Sequence, residues 1–509
     1  MNSTVRPFPK PRITISEDRA HEVARWLPDL LEYASSLGLV LQLGDQLVAP
    51  TTDLGGGPER LLPVSQTELK EVFKQALRGH ESEQALFTTW VTGQMLNELL
   101  RKRDWPGVER VDWVTQAPVL VPWSDEETGE SGVAPMDPYM PLDQGIWYSC
   151  SEQAHDVEAD VPVERAREFL MDELMGEFPF ADEASRANAL AMLLTPFLRP
   201  LIDGPTPLFL LNAPRPRTGK SLLAAACLGI SAPGVAGTAL PSNESQISNL
   251  LNSKLRAGAA VVWLDNVKGR VDSPSLEGAL TATEWQGRIL HSNVVPTWPN
   301  RATWVMTANG AKFSTDLTGR SVLVHLDAKT EHPERRPIRR QEPLLAWARE
   351  HWAELVSAAV SLGADWGEAG CPRPASPKVM GGFESWEQTL RGVLQVAGVR
   401  GFLANVDARD EAVDADSAEG RELLRSLAQV VGTGVEFTAA EAKERGLQVG
   451  AQVGAEVGAE EPPGWCMKTP KALGMALSGW RDKPVGGLVL RKVQRPRTAD
   501  AWRLDPCTN

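Results

Sequence analysis

The feature that most constrains the fold is the stretch at residues 207–229, with the sequence PLFLLNAPRPRTGKSLLAAACLG. Its apolar run at 208–211, closed by turn-forming residues, predicts a strand that is buried on both faces of a parallel sheet. The loop PRPRTGKS follows, and the small and apolar residues after it predict a helix. A strand, a glycine-containing loop and a helix in this order indicate an α/β fold that binds phosphate between the strand and the helix.

The loop has the spacing GxxxxGK[ST] of the phosphate loop, although Pro214 stands where the first glycine is usual. Gly219 allows backbone N–H groups to approach phosphate oxygens, Lys220 reaches the outer phosphates, and the Ser221 hydroxyl holds Mg²⁺. We therefore predict that a nucleotide is bound by Pro214, Arg215, Pro216, Arg217, Thr218, Gly219, Lys220, Ser221 and Leu222. The alternative is that GKS only opens an ordinary helix, because short motifs also match by chance.

Three later apolar runs carry polar residues at the ends where a nucleotide site needs them. The run AAVVWLD ends in Asp265, which suits an acid that positions Mg²⁺ opposite the phosphate loop. The next run is followed by Asn309, and Arg320 directly precedes the last run, at 321–326. With a phosphate loop before them, these runs favour a nucleotide-binding core over a chance match.

In this order, the phosphate loop, LDN at 264–266, TAN at 307–309 and an arginine before a strand resemble the superfamily 3 helicases, a branch of the AAA+ ATPases. The flanking sequence is similar to the helicase part of primase-helicases from actinobacterial phages, plasmids and integrated elements. The similar segments are FPFADEASRANALAMLLTPFLRP at 178–200 and FESWEQTLRGVLQVAGVRGFL at 383–403. The resemblance covers about residues 160–405.

The resemblance implies an AAA+ core that binds ATP and Mg²⁺ and assembles into a homo-oligomeric ring, expected to be a hexamer. In that family pattern, Lys220 and Ser221 would bind the nucleotide and Mg²⁺, with Asp265 as the Walker B acid that also holds the metal. Asn309 would sense the γ-phosphate. Arg320 would be the arginine finger that is presented to a neighbouring subunit, so the site would be complete only in the assembled ring.

Two residues depart from the family pattern. Asn266 stands where many AAA+ proteins have a glutamate that orients the attacking water, and an amide cannot accept the proton of that water. Glu277 and Glu284 are open alternatives for the base. We keep Asn266 among the catalytic residues because phosphoryl transfer depends mainly on positioning and charge stabilisation. Pro214 has no N–H and fixes φ, so the loop loses one potential phosphate donor.

Composition limits where nucleic acid can bind. The formal net charge of −14 argues against a surface coated with DNA-binding charge, so any such contact is expected to be local. The five cysteines are far apart without a CxxC pair, which indicates neither a zinc site nor a disulfide framework. Pro233 and nearby glycines interrupt the uncharged stretch at 221–243, so we expect no membrane-spanning helix and a soluble protein in the cytoplasm of a bacterium or a phage-infected host.

The length of 509 residues predicts several domains. We expect an N-terminal α+β domain at 1–160, a helical collar at 161–202, the P-loop AAA+ core at 203–330, a helical lid at 331–405 and a winged-helix-like domain at 406–509. The first contains a hairpin predicted across Gly44 and Asp45. The last has three predicted helices before a hairpin. Its repeat VGAQVGAEVGAE at 449–460 predicts a flexible insert at 449–464, because glycines disfavour a stable helix.

Two regions are predicted to contact DNA. Residues 285–301 have strand-like ends, and the resemblance implies a hairpin there that enters the channel of the ring. Its candidate contacts are Arg288, His291 and Arg301, although a surface role is the alternative for His291. Residues 465–504 contain nine Lys or Arg, which favours phosphate binding over protein contact. The candidates there are Lys471, Arg491, Lys492, Arg495 and Arg497. The arginine-rich segment 331–340 is interpreted as a solvated charge run, with DNA or an acidic partner as alternatives.

These features together predict an ATP-dependent replicative DNA helicase or translocase of a phage, plasmid or integrated mobile element. Its partners would be single-stranded DNA in the channel, duplex DNA at the C-terminal domain, and a separate primase or polymerase, because residues 1–160 show no paired acids of a primase. Two alternatives stay open. One is a nucleotide-gated DNA-binding assembly without processive unwinding, such as an origin initiator, a loader or a defence ATPase. The other is an ATP-binding scaffold without turnover.

Overall fold

The structure, a computed structural model, describes the chain in segments: residues 19–51, 60–102, 104–124, 131–136, 142–143, 145–149, 154, 156–288, 295–375, 380–413, 415–456, 465, 468–485, 487–493 and 500–506. These residues form two units. The first comprises the described residues up to 269 with 273–311 and 320–406, and the second comprises 270–272, 312–319 and the described residues from 407 onward. The segment 203–330, predicted to be one domain, thus contributes two short pieces to the second unit. Among the described helices, none combines the length and apolar character that crossing a membrane requires.

The first unit begins with helices packed around a small sheet. Its elements are α1 (Arg19–Ser36), β1 (Leu41–Leu43), β2 (Gln46–Thr51), β3 (Arg60–Pro63), α2 (Gln66–Ala76), α3 (Glu81–Trp90), α4 (Gly93–Arg101) and β4 (Arg110–Val111). The sheet has the order β3-β2-β1-β4. The hairpin predicted across Gly44 and Asp45 is confirmed, since β1 and β2 are antiparallel and Leu43 pairs with Gln46. Gly44 suits this turn because its φ is 57°, which glycine adopts without strain.

Short strands then lead to a helical segment. The strands are β5 (Trp113–Thr115), β6 (Leu120–Ser124), β7 (Ser131–Pro135), β8 (Leu142–Asp143) and β9 (Ile146–Tyr148). Residues 161–202, predicted to be a helical collar, contain α5 (Val163–Glu168), which continues as a π-helix (Phe169–Leu174), and α6 (Glu183–Leu198). The Asp182 carboxylate starts α6 by accepting the N–H of Ser185 at 2.6 Å, as expected for an N-cap.

A five-stranded parallel sheet forms the centre of the first unit, in the order β11-β12-β16-β10-β18. The elements of this part of the chain are β10 (Leu208–Ala213), α7 (Lys220–Ser231), β11 (Thr238–Ala239), α8 (Glu244–Arg256), β12 (Val261–Val267), β13 (Arg270–Val271), α9 (Pro274–Thr281), β14 (Glu284–Gln286), β15 (Thr297–Pro299), β16 (Thr303–Asn309), β17 (Lys312–Phe313), α10 (Thr315–Gly319) and β18 (Ser321–His325). All six residues of β10 are buried, as predicted for a strand covered on both faces. The mixed α/β class with a parallel sheet is therefore confirmed.

Three further helices complete the first unit: α11 (Leu344–Glu350), α12 (Trp352–Glu368) and α13 (Glu384–Val396). They share one apolar core with α6, α7 and the parallel sheet. Asn188, a fully buried residue of α6, connects these layers. Its Nδ2 donates to the carbonyl of Leu323 at 2.9 Å, and its Oδ1 accepts the N–H of Leu403 at 3.0 Å. One amide thus ties α6 to β18 and to the segment after α13.

The second unit is mainly C-terminal. Its later elements are α14 (Val406–Val413), α15 (Ala415–Val431), β19 (Glu436–Thr438), α16 (Ala439–Glu456), α17 (Pro470–Gly479), β20 (Pro484–Val485), β21 (Leu488–Val493) and β22 (Ala501–Pro506). The predicted hairpin is confirmed as the antiparallel pair β21–β22. The expectation of a flexible insert is wrong for residues 449–456, which continue α16. The helix begins at a capping box in which Thr438 and Glu441 bond to each other's N–H groups, and the Ala, Gln and Glu between the glycines favour its continuation. Residues 457–464 lie outside the described residues.

We expect Asn188→Ala to lower the free energy of unfolding by roughly 1–3 kcal/mol, because it leaves the N–H of Leu403 without its acceptor and removes one amide donor from the Leu323 carbonyl, to which Asn405 Nδ2 also donates at 3.3 Å. Chemical denaturation followed by circular dichroism measures this change. Asn97→Ala is the control, since Asn97 is an exposed asparagine whose Nδ2 bonds to Gln66 at 3.1 Å. Equal effects of the two substitutions would contradict the role given to Asn188.

Candidate nucleotide site

The predicted phosphate loop lies between β10 and α7, at the carboxyl edge of the parallel sheet. It turns sharply, with φ of 60° at Arg217 and 106° at Gly219, and the second value favours glycine strongly. The carbonyl of Arg215 accepts two bonds from the loop itself, one from Thr218 Oγ1 at 2.6 Å and one from Lys220 Nζ at 3.4 Å. The loop is therefore held in a defined shape by its own hydrogen bonds.

The amino end of α7 directs positive charge at this loop. Within the described part of the chain, no side chain caps the helix, whose first residue is Lys220. The first N–H groups of an α-helix have no intrahelical acceptor, and with the helix dipole they favour an anion. Lys220 is only 6% exposed, and burial lowers the pKa of its ammonium to about 8, although Asp265 opposes this shift. This combination of uncapped N–H groups and a buried cation matches the charge of a phosphate group.

Asp265, in β12, is joined to the loop through the Ser221 hydroxyl. Ser221 Oγ donates to Asp265 Oδ1 at 2.7 Å, and Thr307 Oγ1, from the neighbouring strand β16, donates to the same oxygen at 2.5 Å. The Thr307 hydroxyl also accepts the N–H of Asn266 at 2.8 Å. The register of β12 against β16 shifts at this point, and Asn266 has a φ of 56°. This bulge is what allows two consecutive residues to bond to the same threonine.

A pair of amides lies beside the acid. Asn309 Nδ2 donates to Asn266 Oδ1 at 3.2 Å. Among the described residues, Asn309 Oδ1 is buried and has no hydrogen-bond partner, which is costly for a polar atom. The turn after Asn309 is fixed because Asn212 Oδ1, in β10, accepts the N–H of Gly310 at 3.1 Å. The free acceptor on Asn309 therefore suits a water molecule or a ligand group that donates a hydrogen bond.

The arrangement fits a metal-bound polyphosphate. The Ser221 hydroxyl and the Asp265 carboxylate are oxygen ligands of the kind that Mg²⁺ prefers, and they are already in contact. Lys220 and the amino end of α7 supply positive charge on the same side of the sheet. Asn266 and Asn309 add amides that can orient a water molecule. The structure thus brings together five predicted residues: Lys220, Ser221, Asp265, Asn266 and Asn309. The alternatives for the base lie on other elements, Glu277 on α9 and Glu284 at the start of β14.

Three residues near the loop were not expected from the sequence. Arg336 donates to the carbonyl of Thr218 at 2.9 Å, and burial lowers the pKa of its guanidinium while Glu177 opposes this shift. The expectation of a solvated charge run at 331–340 is therefore wrong for Arg336. Phe178 lies against Gly219, where an added Cβ would be 3.3 Å from the ring. Thr307 is the third. All three lie in segments that the sequence singled out, namely TAN at 307–309, the segment at 178–200 and the arginine-rich segment at 331–340, but a contact with the loop was not predicted for any of them.

Arg320 and Arg301 lie near the opposite edge of the sheet. The carbonyl of Arg320 accepts the N–H of Leu208, the first residue of β10, and the carbonyl of Arg301, just before β16, accepts Arg199 Nε at 3.2 Å. Five residue steps along β10 separate Leu208 from the loop, a distance of roughly 17 Å at about 3.3 Å per residue. This distance exceeds the reach of an arginine side chain. Arg320 is therefore too far to contact phosphates held by the loop of its own subunit.

The hairpin predicted at 285–301 is confirmed at its base. Strands β14 and β15 are antiparallel, with Trp285 opposite Trp298. Arg288 follows the first strand and is exposed, whereas Arg301 comes after the second strand and is half-buried. His291 lies outside the described residues. Of the three candidate DNA contacts, only Arg288 is thus described as an exposed residue on the hairpin.

The C-terminal candidates differ in their surroundings. Lys471 is exposed on α17, and among the described residues it forms no ion pair. Arg491 and Lys492, on β21, have acidic neighbours, with separations of 3.9 Å from Arg491 to Asp482, 3.4 Å from Arg491 to Asp505 and 2.7 Å from Lys492 to Asp500. Two other candidates, Arg495 and Arg497, lie outside the described residues. The positive charge of β21 is therefore partly neutralised, and that of Lys471 is not.

Comparison with known protein families finds no family model that matches the chain, and comparison with curated proteins finds no matching sequence. The resemblance to the superfamily 3 helicases therefore depends on the motifs alone.

If the site binds a Mg²⁺-bound nucleotide, we expect Thr307→Val to weaken Mg²⁺-dependent binding of ADP roughly tenfold, because it removes a hydrogen bond to the Asp265 carboxylate and leaves the N–H of Asn266 unpaired. Titration with a fluorescent ADP analogue, with and without Mg²⁺, measures the effect. Thr303→Val is the matched control on the same strand, because Thr303 Oγ1 is buried without a hydrogen-bond partner among the described residues. A similar loss in both variants would show that Thr307 only packs.

We expect Lys471→Ala to reduce the salt dependence of duplex binding by about one unit in the slope of log K against log salt, because each free phosphate contact contributes about that much. Arg491→Ala should have a smaller effect, since its charge already faces two acids. Fluorescence anisotropy with a labelled duplex at several salt concentrations gives both slopes. A larger effect of Arg491→Ala would contradict this ranking.

Proposed function

We propose that this protein is a P-loop ATPase of the AAA+ kind, similar to the superfamily 3 helicases, which uses ATP and Mg²⁺ to unwind or translocate DNA as a ring. The observation that carries the proposal is the contact of the Ser221 hydroxyl and the Thr307 hydroxyl with Asp265, beside the uncapped end of α7. It favours a metal-bound nucleotide over a simple anion, because an acid next to the phosphate-loop serine holds Mg²⁺ in P-loop ATPases.

Each residue of the site has a separate task in this proposal. Lys220 and the N–H groups at the start of α7 hold the phosphates, and Ser221 and Asp265 hold Mg²⁺. The metal, when bound, neutralises charge on the transferred phosphoryl group. Asn309 and Asn266 orient the attacking water through their amides. Since an amide cannot take a proton, the site would act through positioning and charge stabilisation.

The location of Arg320 supports an assembled ring. Phosphates would be held at the carboxyl edge of the parallel sheet. Arg320 lies at the opposite edge, where its carbonyl accepts the N–H of Leu208 at the start of β10. In a head-to-tail ring, one face of each subunit meets the other face of its neighbour, so such an arginine can complete the neighbour's site. An arginine supplied in this way stabilises the charge of the transition state. A hexamer is the ring that we expect from the resemblance.

The DNA contacts in the proposal come from two parts of the chain. The β14–β15 hairpin, with exposed Arg288, would contact single-stranded DNA in the channel, and Lys471 in the second unit would contact duplex DNA. The protein would work in the bacterial cytoplasm, in replication of a phage, plasmid or integrated element, together with a separate primase or polymerase. The position of the hairpin supports a role in contacting DNA, because in the chain it lies between Asp265 and Asn309, and both of these residues belong to the proposed nucleotide site.

A second candidate function is a nucleotide-gated DNA-binding assembly without processive unwinding, as in an origin initiator, a loader or a defence ATPase. The observation that favours it is Asn266, whose side-chain oxygen bonds to Asn309 in a position where a carboxylate base would be expected. Slow hydrolysis would suit a gate better than a motor. Strand displacement on a forked duplex separates the two functions, because only the helicase releases the displaced strand.

The test of the ring ATPase is a mixing experiment. Lys220→Ala should abolish nucleotide binding, and Arg320→Ala should retain binding but lose ATP hydrolysis stimulated by single-stranded DNA. An equal mixture should regain about one quarter of the wild-type rate, because one in four random interfaces joins an intact loop to an intact arginine. A mixture that stays inactive, or an Arg320→Ala variant that hydrolyses ATP at the wild-type rate, would contradict catalysis between subunits.

A further inference from the structure

The turn between β1 and β2 reaches the base of the β14–β15 hairpin. Asp45, with a side chain only 3% exposed, accepts Arg256 Nε and Arg256 Nη2 at 3.0 Å each, and its Oδ1 also accepts Trp298 Nε1 at 3.0 Å. Arg256 is the last residue of α8, and Trp298 is the central residue of β15. One buried carboxylate thus joins the N-terminal sheet to α8 and to the hairpin.

The turn and the hairpin also approach each other closely. Gly44 has a φ of 57°, and a Cβ there would lie 2.4 Å from Trp298 Cδ1, so only glycine fits beside the indole. The Gly44 carbonyl accepts Gln42 Nε2 at 3.0 Å, and Gln42 Oε1 in turn accepts the N–H of Trp105 at 3.3 Å. The turn is therefore rigidly held from its own side, and the indole packs against a fixed surface.

The other strand of the hairpin is fixed to the same helix. Asn252, one turn before Arg256 on α8, accepts Trp285 Nε1 at 2.7 Å and donates to the carbonyl of Arg288 at 3.1 Å. A Cβ on Gly287 would lie 2.3 Å from Asn252 Oδ1. Strand β14 is thus anchored to α8, β15 is anchored to Asp45, and Asp45 in turn binds Arg256 of α8.

A second contact holds the N-terminal part against this end of α8. The N–H of Val114, in β5, donates to the carbonyl of Gly258 at 3.2 Å, in the turn between α8 and β12. A Cβ on Gly258 would lie 3.1 Å from Leu43 Cδ1. Asp45 is therefore not the sole contact between the N-terminal sheet and the end of α8 among the described residues, because β5 and Leu43 also contact the turn at Gly258.

The hairpin depends on such support. Among the described residues of the hairpin, three residue pairs join β14 to β15, and a two-stranded hairpin has little stability alone in water. Its direction must therefore be set by what its base contacts. The contacts include a buried charge pair, and losing one partner of such a pair leaves the other charge uncompensated.

We propose that the turn at Gly44 and Asp45 is a fixed support for the base of the β14–β15 hairpin, and that Asp45 is a positioning residue for the response of the ATPase to single-stranded DNA. The support follows from the contacts alone, whereas the DNA response rests on the proposed function. In this proposal, the function of the N-terminal sheet is to set the direction in which the hairpin and Arg288 project.

Hydrogen exchange read by mass spectrometry tests the support directly. In Asp45→Ala, amide exchange of 284–288 and 295–301 should rise roughly tenfold, while exchange of 207–229 stays as in the wild type. Asp45→Asn keeps one acceptor oxygen and should give a smaller rise, and it carries the test if Asp45→Ala does not fold. Asp104→Asn is the control, because Asp104 pairs with Arg110 at 2.6 Å but both side chains are more than half exposed.

The same variants test the DNA response. The half-saturating concentration of single-stranded DNA for ATP hydrolysis should rise roughly tenfold in Asp45→Ala, with the rate in the absence of DNA unchanged. Unchanged exchange of the hairpin, or a rise spread evenly over the first unit, would overturn the proposal, because Asp45 would then be irrelevant or only stabilising. A wild type that ignores DNA, together with a local rise in exchange, would contradict the proposed function and leave the support standing.

Discussion

The hydrogen bond from the Ser221 hydroxyl to the Asp265 carboxylate joins parts of the sheet that are not adjacent. Strand β16 lies between β10 and β12, so two strand spacings, about 9.6 Å, separate the strands from which these residues extend. The gap closes because α7, which carries Ser221, contacts both β16 and β12, and because Thr307 bonds to Asp265 from the strand in between. The whole site therefore depends on parallel strands that end at the same edge.

This dependence explains what could be predicted from the sequence. The strand, loop and helix around Lys220 are consecutive, and Asp265 and Asn309 follow from the rule that parallel strands place their carboxyl ends together. The role of Thr307 depends on a bulge in β12, and a bulge changes register without changing the apolar pattern. Arg336 reaches the loop from 118 residues away, and no periodicity or motif marks such a contact.

Buried charge is the second organising feature of the first unit. Arg199, 1% exposed, donates to the carbonyls of Ile202, Gly204, Asn300 and Arg301. Burial lowers the pKa of its guanidinium to about 9, and the charge of Arg301 adds to this shift. Carbonyl dipoles thus hold a cation that has no carboxylate partner among these contacts. Asp45 is the reverse case, a buried anion that accepts hydrogen bonds from Arg256 and from the indole N–H of Trp298. Arg256 is 211 residues away from Asp45 in the sequence. Neither residue could be assigned from a local pattern.

These two buried charges hold one short stretch of the chain, at β15 and directly after it. Between Asp265 and Asn309 the chain forms α9 and the hairpin, so both ends of the segment belong to the nucleotide site. Asp45 holds β15 at Trp298, and Arg199 holds the residues directly after it, Asn300 and Arg301. If nucleotide binding shifted Asp265 or Asn309, the segment between them could not simply translate, because Trp298, Asn300 and Arg301 are held by Asp45 and Arg199. Packed elements of this kind move as rigid bodies, by hinge or shear motion, because a packed core is not continuously deformable. In the proposed ATPase, Arg288 would therefore move together with α8, because Asn252 on that helix donates to the Arg288 carbonyl at 3.1 Å.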